Sequence, residues 1–256
     1  MGEEGSAPRR ASVVSRTLSV LEAFDAEHHD LSLTDISRRS GLPIATCHRL
    51  VNELVTWRAL VRVQGRYRIG HRLWALGQLS PVRRGLAETA APYMHDVLFV
   101  TQNVVNLFIR DGGEALLVER ISGTRPGPAV RQSGNRVPLH ASAAGKVLLA
   151  YAPPDVVDDA LREPVRLTPR TVTDPIRIRA ELGKVRSLGY AESSGELAEL
   201  ASGIAVPIIA LDGSVLAALG VVAVGAPLNA GSVVPVLKVA ARAIARQVQA
   251  AGYGLG

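Results

Sequence analysis

Cysteine is nearly absent from this sequence, since Cys47 is the only one among 256 residues. A single thiol excludes an intramolecular disulfide and a zinc site built from several cysteines. Aromatic residues are also scarce, at 4% of the chain, whereas 47% of the residues are hydrophobic. Alanine, valine and leucine therefore have to fill the core, and their abundance is sufficient for a folded protein.

Long hydrophobic runs are missing as well. The most apolar stretch, residues 204–224, is interrupted by Pro207 and by the pair Asp212-Gly213. It therefore lacks the ~18–20 consecutive apolar residues of a membrane-spanning helix. Residues 1–10 are acidic and then basic, without the apolar centre of a secretory signal. We therefore expect a soluble, cytoplasmic protein that has no membrane partner.

The common signatures of catalysis are missing too. The six histidines include no H-x-x-x-H pair, and the chain has no G-x-S-x-G, P-loop or dinucleotide-binding motif. Cys47 falls on the apolar face of a predicted helix, which suits a core residue better than a nucleophile. We therefore expect no enzymatic activity, no catalytic residue, no cofactor and no metal site.

Positive charge, by contrast, is concentrated in one segment. Residues 31–80 contain eight arginines and only two acids, Asp35 and Glu53, which gives a net charge of +6. The whole protein also carries +6, so the charges of the remaining residues cancel. A cationic surplus confined to one short segment points to nucleic acid as a partner.

The same segment carries the signals of a helix-turn-helix. Ser32 is a suitable N-cap and Asp35 stands three residues later, as in a capping box. Gly41 can end this helix in a left-handed conformation, and Pro43 can open the next one. The next helix is predicted to bury Cys47, Leu50, Val51, Leu54 and Val55 and to expose Ile44, Ala45, His48, Arg49 and Asn52.

Elements on either side complete the domain. A first helix is predicted from Ser12, with Val13, Val14, Leu18, Leu21 and Phe24 on one face at spacings of three and four. Residues 60–69 alternate as a two-stranded ribbon that turns at Gly65. We expect Val61, Val63, Tyr67 and Ile69 on its apolar side and Arg62, Arg66 and Arg68 together on the other side. Three helices followed by a basic ribbon predict a winged helix-turn-helix.

The rest of the chain reads as an α+β domain. A helix is expected at 71–79, a hinge at Pro81 and Gly85, and another helix at 86–101. Strands are predicted at 103–110, 114–121, 201–211 and 214–224, a mixed strand and loop at 129–137, and helices at 139–151, 153–162, 174–188 and 231–251. This order of helices and strands differs from the regular alternation of a βα protein.

Within the predicted winged helix, the third helix can enter the major groove of DNA. There Arg49 could donate to guanine or phosphate, Asn52 could pair with adenine, and Thr46 and His48 offer shorter contacts. Arginines of the second helix (Arg38, Arg39) and of the ribbon (Arg62, Arg66, Arg68) would bind phosphates. The alternative is a solvated basic face that binds nothing. The coincidence of caps, turn, two-sided helix and basic ribbon favours DNA binding.

From about residue 15 to residue 248, the sequence resembles the IclR family of bacterial transcriptional regulators. The motifs that carry the resemblance are Ser15-Arg16-Thr17-Leu18-Ser19-Val20-Leu21, Leu33-Thr34-Asp35-Ile36-Ser37, Gly41-Leu42-Pro43, Cys47-His48-Arg49-Leu50, Tyr67-Arg68-Ile69-Gly70, the run from Pro138 to Ala150, Gly189-Tyr190-Ala191-Glu192-Ser193 and Ile204-Ala205-Val206-Pro207-Ile208. The candidate DNA-binding residues are those named above on the second helix, the third helix and the ribbon, together with Arg16, Thr17, Ile44 and Ala45.

The resemblance implies a one-component regulator, commonly a repressor, that binds palindromic double-stranded promoter DNA as a homodimer or a dimer of dimers. Residues 1–11 are predicted to be a disordered tail. The resemblance implies that they are followed by the winged helix-turn-helix domain (12–70), a linker helix and hinge (71–85) that mediates dimer contacts, and a GAF-like effector-binding domain (86–256). The effector would be an organic acid or an aromatic or apolar metabolite. The alternative is a second domain that serves only dimerisation or a protein partner.

The sequence alone allows two explanations for the small residues near position 143. The start of the helix after Ser142 could bind a carboxylate through its N–H groups, or the small side chains could only allow tight packing. Lys146 and Glu196 are expected at the surface, with a hydrogen bond to an effector as the alternative for Glu196. The resemblance implies a pocket formed by Ala129, Val137, Ala143, Ala144, Ser193, Gly203, Gly220 and Val222. This pocket is less polar than in the family, so it would suit a larger, more apolar effector or none.

Overall fold

The computed structural model describes residues 12–25, 27–123 and 133–251. The predicted tail at 1–11 lies outside the described residues, as does Ala129. The chain divides into two compact units, Met1–Leu79 and Ser80–Gly256. No helix in the described ranges is long and apolar enough to cross a membrane.

The N-terminal unit is a helix-turn-helix followed by a β-hairpin. Its elements are α1 (Val13–Glu22), α2 (Leu33–Ser40), α3 (Ile44–Thr56), β1 (Leu60–Val63), β2 (Arg66–Ile69) and α4 (His71–Gly77). The predicted start and end of α2 are confirmed: Ser32 and Asp35 form a reciprocal capping box, and Gly41 ends the helix at φ 69°. Cys47 is fully buried in the core of this unit, as expected.

The residues predicted to share one apolar face of α1 do not together form its buried face. Val14 and Leu18 are exposed, as is Val13, whereas Val20 is the residue of α1 that is fully buried. Val20 follows Leu18 by two residues, which is about 200° around the helix. The stripe from Val14 to Leu18 therefore faces away from the core, and only Leu21 and Phe24 of the predicted set pack against it.

The predicted faces of the hairpin are also wrong. Val61 pairs with Arg68 and Val63 with Arg66, while Arg62 pairs with Tyr67. Paired residues of a hairpin share a face, so Arg62 lies on the side opposite to Arg66 and Arg68. The cause is the two-residue turn, in which Gln64 (φ 48°) and Gly65 (φ 80°) both have positive φ and bring Val63 opposite Arg66.

The C-terminal unit is an antiparallel sheet between two layers of helices. Within the described residues the strands are ordered β5-β4-β3-β8-β7-β6. The strands are β3 (Val104–Asp111), β4 (Glu114–Ile121), β5 (Arg136–Pro138), β6 (Ala191–Ser194), β7 (Ala201–Ile209) and β8 (Val215–Val224), and the helices are α5 (Glu88–Thr101), α6 (Ala143–Ala150), α7 (Pro154–Ala160), α8 (Pro175–Leu188) and α9 (Ala230–Ala250). Strand β6 is absent from the sequence-based prediction.

Each face of this sheet has its own core. One face packs against α5 and α9 through residues such as Val105, Leu107 and Leu219. The other packs against α6, α7 and α8 through residues that include Phe108 and Ala205. The predicted hinge includes Gly85, which is buried within a π-helical segment, Val82–Ala87, that continues into α5; the hinge itself stays a prediction.

Candidate DNA-binding surface and ligand cavity

Helix α3 presents the polar face that the sequence predicts. Ile44, Ala45, His48, Arg49 and Asn52 are exposed, and Thr46 is half-buried. The opposite face is anchored by Cys47, Leu50, Val51 and Leu54 in the core. Arg49 has no ion-pair partner among the described residues, so its five N–H donors remain available to an external acceptor.

The arginines of α2 are held differently from each other. Arg38 is exposed and forms an ion pair with Asp35, with 3.2 Å between Nη2 and Oδ1. The Arg39 side chain is 27% exposed; its Nε donates to the Ala23 carbonyl at 2.5 Å and its Nη2 pairs with Asp25. Arg39 therefore ties α2 to the end of α1.

The other candidate residues of this unit lie on α1 and the hairpin. The Thr17 hydroxyl donates to the Val13 carbonyl at 2.9 Å. The Nε of Arg16 is buried without a hydrogen-bond partner among the described residues. The guanidinium carbon of Arg62 lies 5.8 Å from the centre of the Tyr67 ring, on the face of the hairpin opposite to Arg66 and Arg68.

Arg66 and Arg68 both contact Asp30, and Nη2 of Arg66 also lies 3.8 Å from Oδ2 of Asp35. Nε of Arg66 lies 3.1 Å from Oδ1, and Nη2 of Arg68 lies 2.6 Å from Oδ2. The hydrogen bond from Arg68, with further help from Arg66, holds the pKa of Asp30 below its usual range. These two arginines are therefore partly neutralised within the unit.

Acids from outside the basic segment reduce its net charge in the folded unit. Residues 12–79 contain nine arginines and six acids, a surplus of +3 rather than +6. Asp25 and Asp30 precede the basic segment in the sequence but contact its arginines. The remaining uncompensated charge is thus concentrated on fewer side chains, among them Arg49.

The C-terminal unit encloses a cavity of about 60 Å³ beside the start of α6. Six of the residues implied by the family resemblance line it: Ala143, Ala144, Ser193, Gly203, Gly220 and Val222. Val137 does not line this cavity and is buried in the core on the α6 side of the sheet. Ala129 lies outside the described residues.

Two polar residues of this cavity were missed by the sequence-based analysis, Asn106 and Arg120. Asn106 on β3 is 3% exposed, and it pairs with Arg120 on β4. Its Oδ1 and the Nη1 of Arg120 are both buried without a hydrogen-bond partner among the described residues. Burial lowers the pKa of the Arg120 guanidinium, which nevertheless stays charged at neutral pH.

A β-bulge explains why Arg120 faces the cavity. The partner of Leu107 is Glu119, whereas the partner of Phe108 is Leu117, so β4 gains an extra residue at Val118. Side chains of a strand alternate between faces, and an inserted residue reverses this alternation. Arg120 and Leu117 therefore lie on the same face of the sheet, although they are three residues apart.

The small residues at the start of α6 have two roles. The Ser142 hydroxyl accepts a hydrogen bond from the Gly145 N–H at 3.0 Å and so caps the helix. A Cβ on Gly145 would lie 2.5 Å from the Leu139 carbonyl oxygen, so this position has to be small for packing. Ala143 and Ala144, in contrast, line the cavity.

Lys146 and Glu196 are not at the surface, contrary to expectation. Lys146 is 3% exposed and Glu196 is 6% exposed. The Lys146 Nζ lies 2.6 Å from Glu196 Oε1 and 2.7 Å from Glu181 Oε2. A buried ammonium needs compensation of this kind, and here the two acids come from α8 and from the loop after β6. In the described ranges, no three side chains cluster as metal ligands.

A helix-turn-helix unit followed by an α+β unit with an internal cavity is the architecture of a transcriptional regulator. The model of the IclR helix-turn-helix domain matches residues 13–64, and that of the bacterial transcriptional regulator IclR C-terminal domain matches residues 80–250. The chain belongs to the IclR family, whose curated members are named as transcriptional regulators and not as enzymes.

Relatives match over most of their length. The transcriptional regulator BhcR of Paracoccus denitrificans is 31% identical over 226 residues, which cover 86% of this chain and 80% of BhcR. The transcriptional repressor AllR of Klebsiella pneumoniae is 28% identical over 223 residues, 86% of this chain and 82% of AllR. The structure of an IclR homolog from Microbacterium hydrocarbonoxydans, complexed with 4-hydroxybenzoate, is 35% identical with a TM-score of 0.86, covering 93% of this chain and 100% of that one.

Proposed function

We propose that this protein is a cytoplasmic repressor that binds palindromic promoter DNA as a dimer or a dimer of dimers and responds to a small organic carboxylate. The observation that carries the DNA-binding part is the exposed face of α3, where Arg49 has no acidic partner among the described residues and Asn52 and His48 lie beside it. Arginine and asparagine are the side chains that read guanine and adenine in the major groove.

The DNA-binding part is tested with promoter DNA from upstream of the protein's own gene. Fluorescence anisotropy should detect saturable binding to this duplex, and footprinting should detect two protected half-sites separated by about one helical turn or a multiple of it. Equal affinity for a shuffled duplex of the same composition would contradict the proposal, because it would indicate charge-driven binding alone.

Exposed apolar side chains of the N-terminal unit support a homodimer. The residues are Val13, Val14 and Leu18 on α1 and Trp74, Leu76 and Leu79 on and after α4. Apolar groups at this density are uncommon on a surface that stays in contact with water. Sedimentation velocity should detect a dimer or tetramer that Leu18→Glu weakens, and a wild-type monomer at the concentration that saturates DNA would contradict the proposal.

The cavity supports an anionic effector. Arg120 is partly buried and supplies a cation whose buried Nη1 has no hydrogen-bond partner among the described residues, and Asn106 adds a second polar group beside it. The rest of the lining is largely apolar or small, including Phe108, Leu197 and Val222. A carboxylate on an apolar body matches this lining, because guanidinium groups bind carboxylates through charge-assisted hydrogen bonds.

The effector part is tested with 4-hydroxybenzoate and with 4-hydroxybenzamide, which has a similar shape but no charge. The acid should raise the melting temperature in a saturable manner and release the promoter duplex, whereas the amide should do so only at much higher concentration. If neither these compounds nor a panel of aliphatic acids, aromatics and lactones has an effect, the C-terminal unit serves dimerisation or a protein partner.

A further inference from the structure

Asp30 occupies a defined position beside the hairpin of the N-terminal unit. The next residue, Leu31, exchanges two backbone hydrogen bonds with Tyr67, at 3.0 Å and 2.8 Å. This bridge adds Leu31 to the outer edge of β2 and so fixes Asp30 next to the two arginines that flank Tyr67. The position of Asp30 is therefore set by the backbone and not by the ion pairs alone.

Both carboxylate oxygens and the carbonyl oxygen of Asp30 accept hydrogen bonds from the arginines of the hairpin. Oδ1 accepts from Arg66 Nε at 3.1 Å, and Oδ2 accepts from Arg68 Nη2 at 2.6 Å and from Arg68 Nε at 3.1 Å. The Asp30 carbonyl accepts from Arg66 Nη2 at 2.7 Å. Both arginines nevertheless remain about half exposed, so DNA phosphates can reach them.

We propose that Asp30 is a specificity-determining residue, which limits sequence-independent binding to DNA by competing with phosphates for Arg66 and Arg68. The proposal rests on the DNA-binding function proposed above. Arginine–phosphate contacts strengthen binding to every sequence alike. An acid that already holds two arginines lowers this uniform contribution, while the contacts of α3 to base edges are left unchanged.

The proposal predicts the salt dependence of the Asp30→Asn variant. Each additional phosphate neutralised makes the slope of log K against log[salt] steeper by about 0.9 in B-DNA. Removal of one competing negative charge should therefore steepen the slope by about this amount and tighten binding to a random-sequence duplex by up to about eightfold near 0.1 M salt. Binding to a duplex selected by the wild-type protein should gain less, so the ratio of the two affinities falls.

Glu27→Gln is the matched control, since Glu27 is an exposed acid of the same connection and the substitution changes the net charge equally. It should change the slope and the random-duplex affinity much less than Asp30→Asn does. Equal effects of the two substitutions, or weaker binding of Asp30→Asn to both duplexes, would overturn the proposal. Failure of the wild-type protein to bind any duplex would instead overturn the proposed function.

A second variant keeps the test valid if Asp30→Asn unfolds in part. Arg68→Gln leaves Asp30 in place and should weaken random-duplex binding less than Arg62→Gln does, because Arg62 has no acidic partner among the described residues. A loss from Arg68→Gln that equals or exceeds the loss from Arg62→Gln would show that Asp30 does not withhold Arg68 from phosphates.

Discussion

Two cations of the C-terminal unit differ in burial and in their partners: Lys146 is almost fully buried, whereas Arg120 is partly buried. Lys146 contacts two carboxylates, one on α8 and one in the loop after β6. Arg120 has a buried nitrogen without a partner among the described residues, and it borders the cavity. Lys146 and its two acids also line a cavity, one of about 420 Å³, so the difference lies in compensation. The charge of Lys146 is paired within the fold, whereas Arg120 keeps free hydrogen-bonding capacity for a ligand.

The largest effect is expected from Lys146→Met. This change leaves the buried carboxylate of Glu196 without its cation, which typically costs about 3–5 kcal/mol. Urea denaturation followed by circular dichroism should give a free energy of unfolding lower by this amount. Lys184→Met replaces an exposed lysine of α8 and should change stability by no more than about 0.5 kcal/mol. Similar stabilities of the two variants would refute the structural role of Lys146.

Arg120→Met should give the opposite pattern. It removes a cation that no described acid compensates, so the protein should be as stable as the wild type or slightly more stable. The affinity for 4-hydroxybenzoate should fall by about 1.5–3 kcal/mol, the usual contribution of a hydrogen bond to a charged group. Isothermal titration calorimetry measures this loss, and the affinity for 4-hydroxybenzamide should change little. A parallel loss for both compounds would mean that the substitution distorts the cavity.

In the N-terminal unit, Arg49 and Arg39 can be compared in the same way, because Arg49 has no acidic partner among the described residues whereas Arg39 is paired with Asp25. Arg49→Ala should weaken operator binding by about 1–3 kcal/mol and relax the base preference at one position. Arg39→Ala removes the contacts to Ala23 and Asp25, so we expect it to lower the stability of the unit more than its DNA affinity. Anisotropy titrations against single-base variants of the operator distinguish the two. Unchanged discrimination in Arg49→Ala would remove Arg49 from base recognition.

Features decided by neighbouring residues could be predicted from the sequence. The capping box at Ser32, the end of α2 at Gly41 and the two faces of α3 all depend on residues within one or two helical turns. The hairpin register could have been predicted as well. A two-residue turn at Gln64-Gly65 requires Val63 to oppose Arg66, which separates Arg62 from the other two arginines.

The cavity could be predicted only in part. The small residues of the cavity lie within sequence motifs and could be recognised there. Arg120 faces the cavity because of a bulge at Val118, and the residues around Val118 give no sign of this bulge in the sequence. The burial of Lys146 depends on Glu181 and Glu196, which lie 35 and 50 positions away in the sequence. The alternation of apolar and polar residues and the composition of a segment predict the structure of that segment alone. Whether a buried charge has a partner depends on which segments of the chain lie next to one another in the fold.

The smallest expected effect is the dependence of the N-terminal unit on acid. The hydroxyl and backbone N–H of Ser32 hold the pKa of Asp35 below its usual value, as Arg68 does for Asp30. A carboxyl whose pKa is lower in the folded state stabilises it above its unfolded pKa of about 3.9, and this contribution disappears as pH falls through the folded value.

Both tryptophans of the chain, Trp57 and Trp74, belong to this unit, so their fluorescence reports its unfolding separately. The melting temperature of the wild type should fall as pH is lowered below about 4. Asp35→Asn should begin from a lower melting temperature at neutral pH and lose less over the same range, because it has no carboxyl to protonate. Parallel pH profiles would show that the capping box does not contribute to the acid sensitivity of this unit.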